Sequence, residues 1–170
     1  MDVDGLLLEV IGALLGANLV GVYAYDTALE AAPGTLALLI VTTRDLTRDR
    51  KYGLTQTLLR HATRAGVREA LVVRQTDLLP TQPSLLVQLH YTESERPALT
   101  AEVGSTVWLR WPDGPSGSVD PTALVQRLQE TGRALIGCSL PELFGDALAP
   151  VETLPAPTHP TTADRQLRFE

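Results

Sequence analysis

The chain holds a single cysteine, Cys138, so it can form no internal disulfide, which fits a reducing compartment. Lysine is almost absent: the fourteen basic residues include one, Lys51, a compositional bias with no functional content. No basic stripe runs along the sequence, the net charge is −6, and the pI is near 5.0. That balance excludes a generic phosphate-backbone binder, and nucleic acid is not an expected partner. An unbroken apolar run of about 20 residues, enough to cross a bilayer, is also missing. Gly5 to Tyr25 comes nearest, with Glu9 its one charge, but Gly12, Gly16, Asn18 and Gly21 interrupt it. Acidic Asp2 and Asp4 precede it where a targeting signal would be positive, and Leu19 to Tyr25 turns β-branched and aromatic. No internal repeat is visible. A soluble, cytoplasmic protein without a membrane partner is expected.

What is present suits one domain. The 170 residues are 44% hydrophobic and 20% charged, which is enough to enclose a core. Leu6, Leu7, Val10, Ile11, Leu14 and Leu15 fall at helical spacing and predict an amphipathic helix over 2–15, stopped by Gly16. Leu19–Tyr25 and Leu36–Thr42 read as strands, the second apolar throughout and so covered on both faces. A helix is expected over 45–65, with Asp45 as cap and Gly66 beyond its end. Glu69–Arg74, Leu85–Tyr91 and Thr106–Trp111 follow as strands. Asp120-Pro121 opens a helix to Thr131, closed by Gly132, and Ala134–Ile136 reads as a short edge strand. The final eighteen residues, 153–170, are rich in Pro and Thr and read as a mobile tail after a domain spanning 1–152. The expected class is α/β (α+β), with a small mixed β-sheet and flanking helices.

Two segments carry a family resemblance. One is Leu14-Leu15-Gly16-Ala17-Asn18-Leu19-Val20-Gly21-Val22-Tyr23-Ala24-Tyr25, followed by a loop and Leu38-Leu39-Ile40-Val41-Thr42. The other is Gly132-Arg133-Ala134-Leu135-Ile136-Gly137-Cys138-Ser139-Leu140-Pro141-Glu142-Leu143-Phe144, with Pro150-Val151 beyond. In this order they resemble the opening and the close of the catalytic domain in streptomycin/spectinomycin adenylyltransferases, a branch of the polymerase-β-like nucleotidyltransferases. The resemblance implies a nucleotidyltransferase-like fold. It also implies three functional positions: a Gly-Ser at the end of the first strand holding triphosphate, an Asp-x-Asp opening the second strand, and a third carboxylate acting as base.

The chain departs from that pattern at the metal. The Gly-Ser position reads Asp26-Thr27: the threonine keeps a hydroxyl, but an Asp in place of Gly adds bulk and negative charge where phosphates approach. The Asp-x-Asp positions read Thr35 and Ala37. A methyl group cannot ligate a hard cation, and a neutral hydroxyl replaces a carboxylate poorly, so no metal ligand is assigned. A unit charge pair at about 4 Å contributes about 4 kcal/mol at intermediate dielectric, and each 1.36 kcal/mol is about one decade in rate. Losing two ligands then costs roughly three or more decades. Glu69, opening the Glu69-Ala70-Leu71-Val72-Val73 strand, matches the third carboxylate. It reads either as a residual base or as a solvated acid at a strand end. The resemblance further implies a C-terminal helical domain, for which nothing after Glu152 offers a pattern. An open cleft left uncovered would need a second copy or a protein partner.

Other residues have plainer readings. His61, His90 and His159 stand alone, without a second ligand at metal spacing. Asp26 with Glu30 is a conceivable replacement acidic pair, on a loop that would position ligands loosely. Ser139 lacks the flanking glycines of a nucleophile elbow, and Gly12-x-x-x-Gly16 follows no strand, so it reads as helix packing rather than a phosphate loop. Cys138 reads as a packing residue. Trp108 and Trp111 read as core, or alternatively as a binding edge. The expectation is a catalytically inactive nucleotidyltransferase-fold protein, a pseudoenzyme without cofactors, acting by binding or as a homo-oligomer. The alternative is a divergent enzyme using Mg and ATP, with Glu69 and Asp26 or Glu30, to modify a small molecule or protein.

Overall fold

A computed structural model describes residues 3–26, 35–78, 84–104 and 117–145. The expected strand over 106–111, with Trp108 and Trp111, lies outside these residues, as do Thr27, Glu30, His159 and the 153–170 tail. Helix α1 (Gly5–Leu15) starts where the Asp4 carboxylate accepts a hydrogen bond from the Leu6 amide at 3.1 Å. It buries Leu7, Ile11 and Leu15, one side chain per turn. Gly16, at φ 52°, ends it. Strands β1 (Leu19–Asp26), β2 (Leu36–Thr42), β3 (Val67–Arg74), β5 (Leu89–Thr92) and β7 (Arg133–Ile136) form one sheet in the order β5-β3-β2-β1-β7. β2 and β3 are parallel, joined by helix α2 (Arg48–His61), and the other pairings are antiparallel. Strands β4 (Leu85–Val87) and β6 (Gly117–Val119) make a separate two-stranded sheet.

The alternation of strand side chains divides the interior into two layers. Val22, Ala24, Leu38, Ile40, Ala70 and Val72 face α1 and α2, where Leu54, Leu58 and Ala62 complete the layer. Tyr23, Tyr25, Ala37, Leu39, Leu71 and Val73 face the opposite way. There they meet Leu124 and Leu128 of helix α4 (Pro121–Thr131), Leu140 and Phe144 of helix α5 (Leu140–Phe144), and Leu85 and Val87 of β4. All seven residues of β2 are buried, as expected of a strand covered on both sides. Each fully buried aliphatic side chain contributes about 1.5–3 kcal/mol.

Several boundaries differ from expectation. α2 begins three residues later than its apolar pattern suggests, capped by Thr47, whose hydroxyl accepts from the Arg50 amide. Asp45 instead accepts from Arg74 at 3.3 Å. The stretch 85–91 is two strands rather than one, broken at Gln88. Its buried side chain accepts from the Leu46 amide at 2.6 Å and donates to the Thr42 hydroxyl at 3.0 Å. Helix α3 (Arg96–Val103) and strand β6 were not anticipated. α1 and α2 approach at Gly53, where a Cβ would lie 3.1 Å from Leu14; Gly12 faces open space, so the expected packing role belongs elsewhere.

Candidate functional site

The sheet has two ends. At the first, the carboxyl end of β1 meets the amino ends of β2 and β3, which is where the family resemblance places phosphate and metal. The register aligns Tyr25 with Ala37 and Ala37 with Glu69, and Glu69 with Thr92 on β5. These four side chains share one face. Arg68 is an extra residue between the pairs Leu36–Val67 and Ala37–Glu69, a bulge that sets Glu69 on the Ala37 face.

Ala37 has no exposed surface and Tyr25 has 1%. Burial pushes the Tyr25 hydroxyl well above its usual range, and the Glu69 carboxylate pushes it further, while Arg127 of α4 opposes both. Glu69 is half-buried, and its Oε1 lies 2.9 Å from Nε2 of His90, its diagonal neighbour on β5. That hydrogen bond raises the His90 pKa above the ordinary histidine value, against the opposing effect of burial. His90 therefore has a partner that its isolation in the sequence did not reveal. Asp26 ends β1 exposed, and its backbone amide donates to the Thr131 hydroxyl of α4 at 3.0 Å. Thr35 sits just before β2, half-buried.

So the structure brings Asp26, Ala37 and Glu69 to one end of the sheet, and adds Tyr25, His90, Arg127 and Thr131. Chemically this corner offers a carboxylate–imidazole pair able to hold or pass one proton. Among the described residues, no group of three or more His, Cys, Asp and Glu side chains is arranged to hold a metal ion.

The other candidates have structural partners. Ser139 caps α5 in a reciprocal box with Glu142. Cys138 is half-buried, with its Sγ 3.5 Å from the Tyr23 hydroxyl. Gly137, at φ 96°, crosses so close to β1 that a Cβ would collide with the Val20 carbonyl oxygen, so the motif around Cys138 requires glycine there. His61 is half-buried in the last turn of α2.

At the second end of the sheet lies an open depression of about 500 Å³, lined by Ala17, Asn18, Thr43, Arg44, Asp45, Thr47 and Arg50. No reading of the sequence assembled it. Among the described residues, no helix is long and apolar enough to cross a membrane.

No family model and no curated protein matches the chain. Among solved structures, it is similar to a spectinomycin adenyltransferase from Enterococcus faecialis, crystallised with ATP and spectinomycin. The TM-score is 0.62 at 18% identity, over 82% of this chain and 57% of that one. The chain thus has a nucleotidyltransferase-like fold and spans little more than half the length of that neighbour.

Proposed function

We propose that this chain is a nucleotidyltransferase-fold domain that does not transfer nucleotides and acts by binding, through self-association or recognition of a partner protein. The observation that carries this reading is the row Tyr25–Ala37–Glu69. Where the resemblance calls for paired carboxylates around a divalent ion, the chain has the neutral hydroxyl of Thr35 and the methyl group of Ala37, which has no exposed surface and is paired across the strands with the buried Tyr25. A metal ion bridging phosphates needs fixed anionic oxygens, and a buried methyl supplies none. The test is to incubate purified protein with labelled ATP, Mg and a panel of aminoglycoside, amino-sugar and protein acceptors. No AMP transfer is expected, and Mg should not tighten ATP binding. Any magnesium-dependent transfer overturns the proposal. Sedimentation of the same sample measures self-association directly.

One observation favours the enzymatic alternative. Glu69 matches the base position of the resemblance, and His90 holds it near Tyr25, which Arg127 also approaches. In a divergent enzyme that pair would accept the acceptor proton, with Asp26 or Glu30 holding Mg and ATP. Loss of AMP transfer in Glu69→Gln, with ATP affinity kept, would identify it.

A further inference from the structure

The geometry points to a second binding site, for a small phosphate-bearing anion, in the depression at the carboxyl end of β2, away from the end where nucleotidyl transfer would take place. In open sheets with parallel strands, ligands commonly sit beyond the carboxyl ends of those strands, where loops converge and helices begin. β2 is such a strand. It runs through Thr43-Arg44-Asp45 into α2, and the β1–β2 pairing brings Ala17-Asn18 alongside. This wall is fixed: the Asn18 side chain accepts from the Arg44 amide at 2.9 Å and donates to the Arg44 carbonyl at 3.3 Å, and the Thr43 amide donates to the Asn18 carbonyl at 2.9 Å. The backbone is therefore set, while the Arg44 and Arg50 side chains remain exposed.

Among the described residues, neither guanidinium has an acidic partner. Two unpaired arginines are notable on a chain of net charge −6, and guanidinium forks match phosphate oxygens. Asp45 is the one carboxylate in the lining, and it leans on Arg74, which offsets its charge. Thr43 and Thr47 add hydroxyls, and the amino end of α2 adds a modest positive field. The space suits pyrophosphate or the phosphates of a nucleotide, at the size usual for small-ligand sites.

The site is separate from the one under the proposed function and stands or falls without it. The test titrates the full-length chain with orthophosphate, pyrophosphate and ATP, without Mg and at low salt, by calorimetry and amide NMR. Saturable pyrophosphate binding is expected, with shifts at Asn18, Thr43 and Arg44. Arg44→Ala and Arg50→Ala should each weaken it about tenfold. Asp45→Asn should tighten it about twofold to threefold, since it removes a repelling charge. Glu69→Gln should leave it unchanged. ATP binding no tighter than pyrophosphate means phosphate alone is read; ATP binding at least tenfold tighter means a nucleotide is the occupant, and both uphold the site. Absence of saturation by about 10 mM overturns it, as does affinity unaffected by both arginine variants or weakened by Asp45→Asn.

Discussion

The two ends of the central sheet are built from the same strands and differ in the side chains they present. At the β1 carboxyl end, Tyr25 and Ala37 are buried, and the Glu69 carboxylate is engaged by His90. At the β2 carboxyl end, a depression stays open, with two guanidiniums lacking acidic partners among the described residues. On a nucleotidyltransferase-like fold, this chain thus buries an aromatic ring and a methyl group at one end of the sheet and exposes two guanidiniums at the other. Fold and site are separable, and each end has to be read from its own residues.

The strongest way to break this contrast is to put a carboxylate back. Ala37→Asp forces an ionised group into a position with no exposed surface, between Tyr25 and Glu69. No cationic partner is aligned with it on either neighbouring strand, so the variant should lose about 3–5 kcal/mol of stability, measured by urea unfolding. A variant that melts with the native protein and binds Mg would show that this end opens readily. At the other end, Arg44→Ala should leave stability within about 0.5 kcal/mol, because the side chain is exposed.

A smaller effect compares the helix that closes one end with the helix that borders the other. Asp120 caps α4 with a 2.9 Å bond from the Thr122 amide, whereas Thr47 caps α2 through a 3.4 Å contact from the Arg50 amide. Asp120→Ala should cost about 1 kcal/mol and Thr47→Ala about half of that, by thermal denaturation. Equal losses would mean that the α2 cap is tighter than its distance implies.

The elements with strong periodicity were legible. α1, β1, β2, β3, α4 and the β7 edge all stand within three residues of where the apolar spacing and the Asp120-Pro121 and Gly132 punctuation place them. What escaped depends on contacts between segments distant in the chain. Gln88 breaks an apolar run because Leu46 and Thr42 satisfy its amide, and nothing local announces that. α3 buries Leu99 alone, too little to leave a stripe. Asp45 made a plausible cap until Arg74 provided it with a different partner. The candidate site was half legible. Ala37 and Glu69 are picked out only by the family resemblance, and the Glu69–His90 pair joins residues 21 apart and requires the β3–β5 register. The depression at the β2 carboxyl end needs β1 and β2 to be paired before Asn18 can meet Arg44.

The smallest effect is the pH dependence of the Glu69–His90 pair. His90 titrates above the ordinary value of about 6.5 in the folded protein because Glu69 accepts its proton-bearing Nε2, while in the unfolded chain it returns to that value. The protonated pair therefore stabilises the fold fully below pH about 6.5, and its contribution fades as pH rises through the raised folded value. The other charges near the pair are Glu95, which also favours protonated His90, and Arg127, which faces Tyr25 from α4. Both histidine and carboxylate are partly exposed, so the loss should stay below about 1 kcal/mol. Glu69→Gln should reverse the sign: burial then outweighs attraction, His90 titrates nearer to or below 6.5, and stability no longer falls between pH 6 and 8. NMR titration of the His90 ring reads this directly in both proteins. An unchanged midpoint in Glu69→Gln would mean that the two side chains part in solution. Glu69 would then be free to act on a ligand, and the contrast between an engaged carboxylate at one end and exposed guanidiniums at the other would weaken.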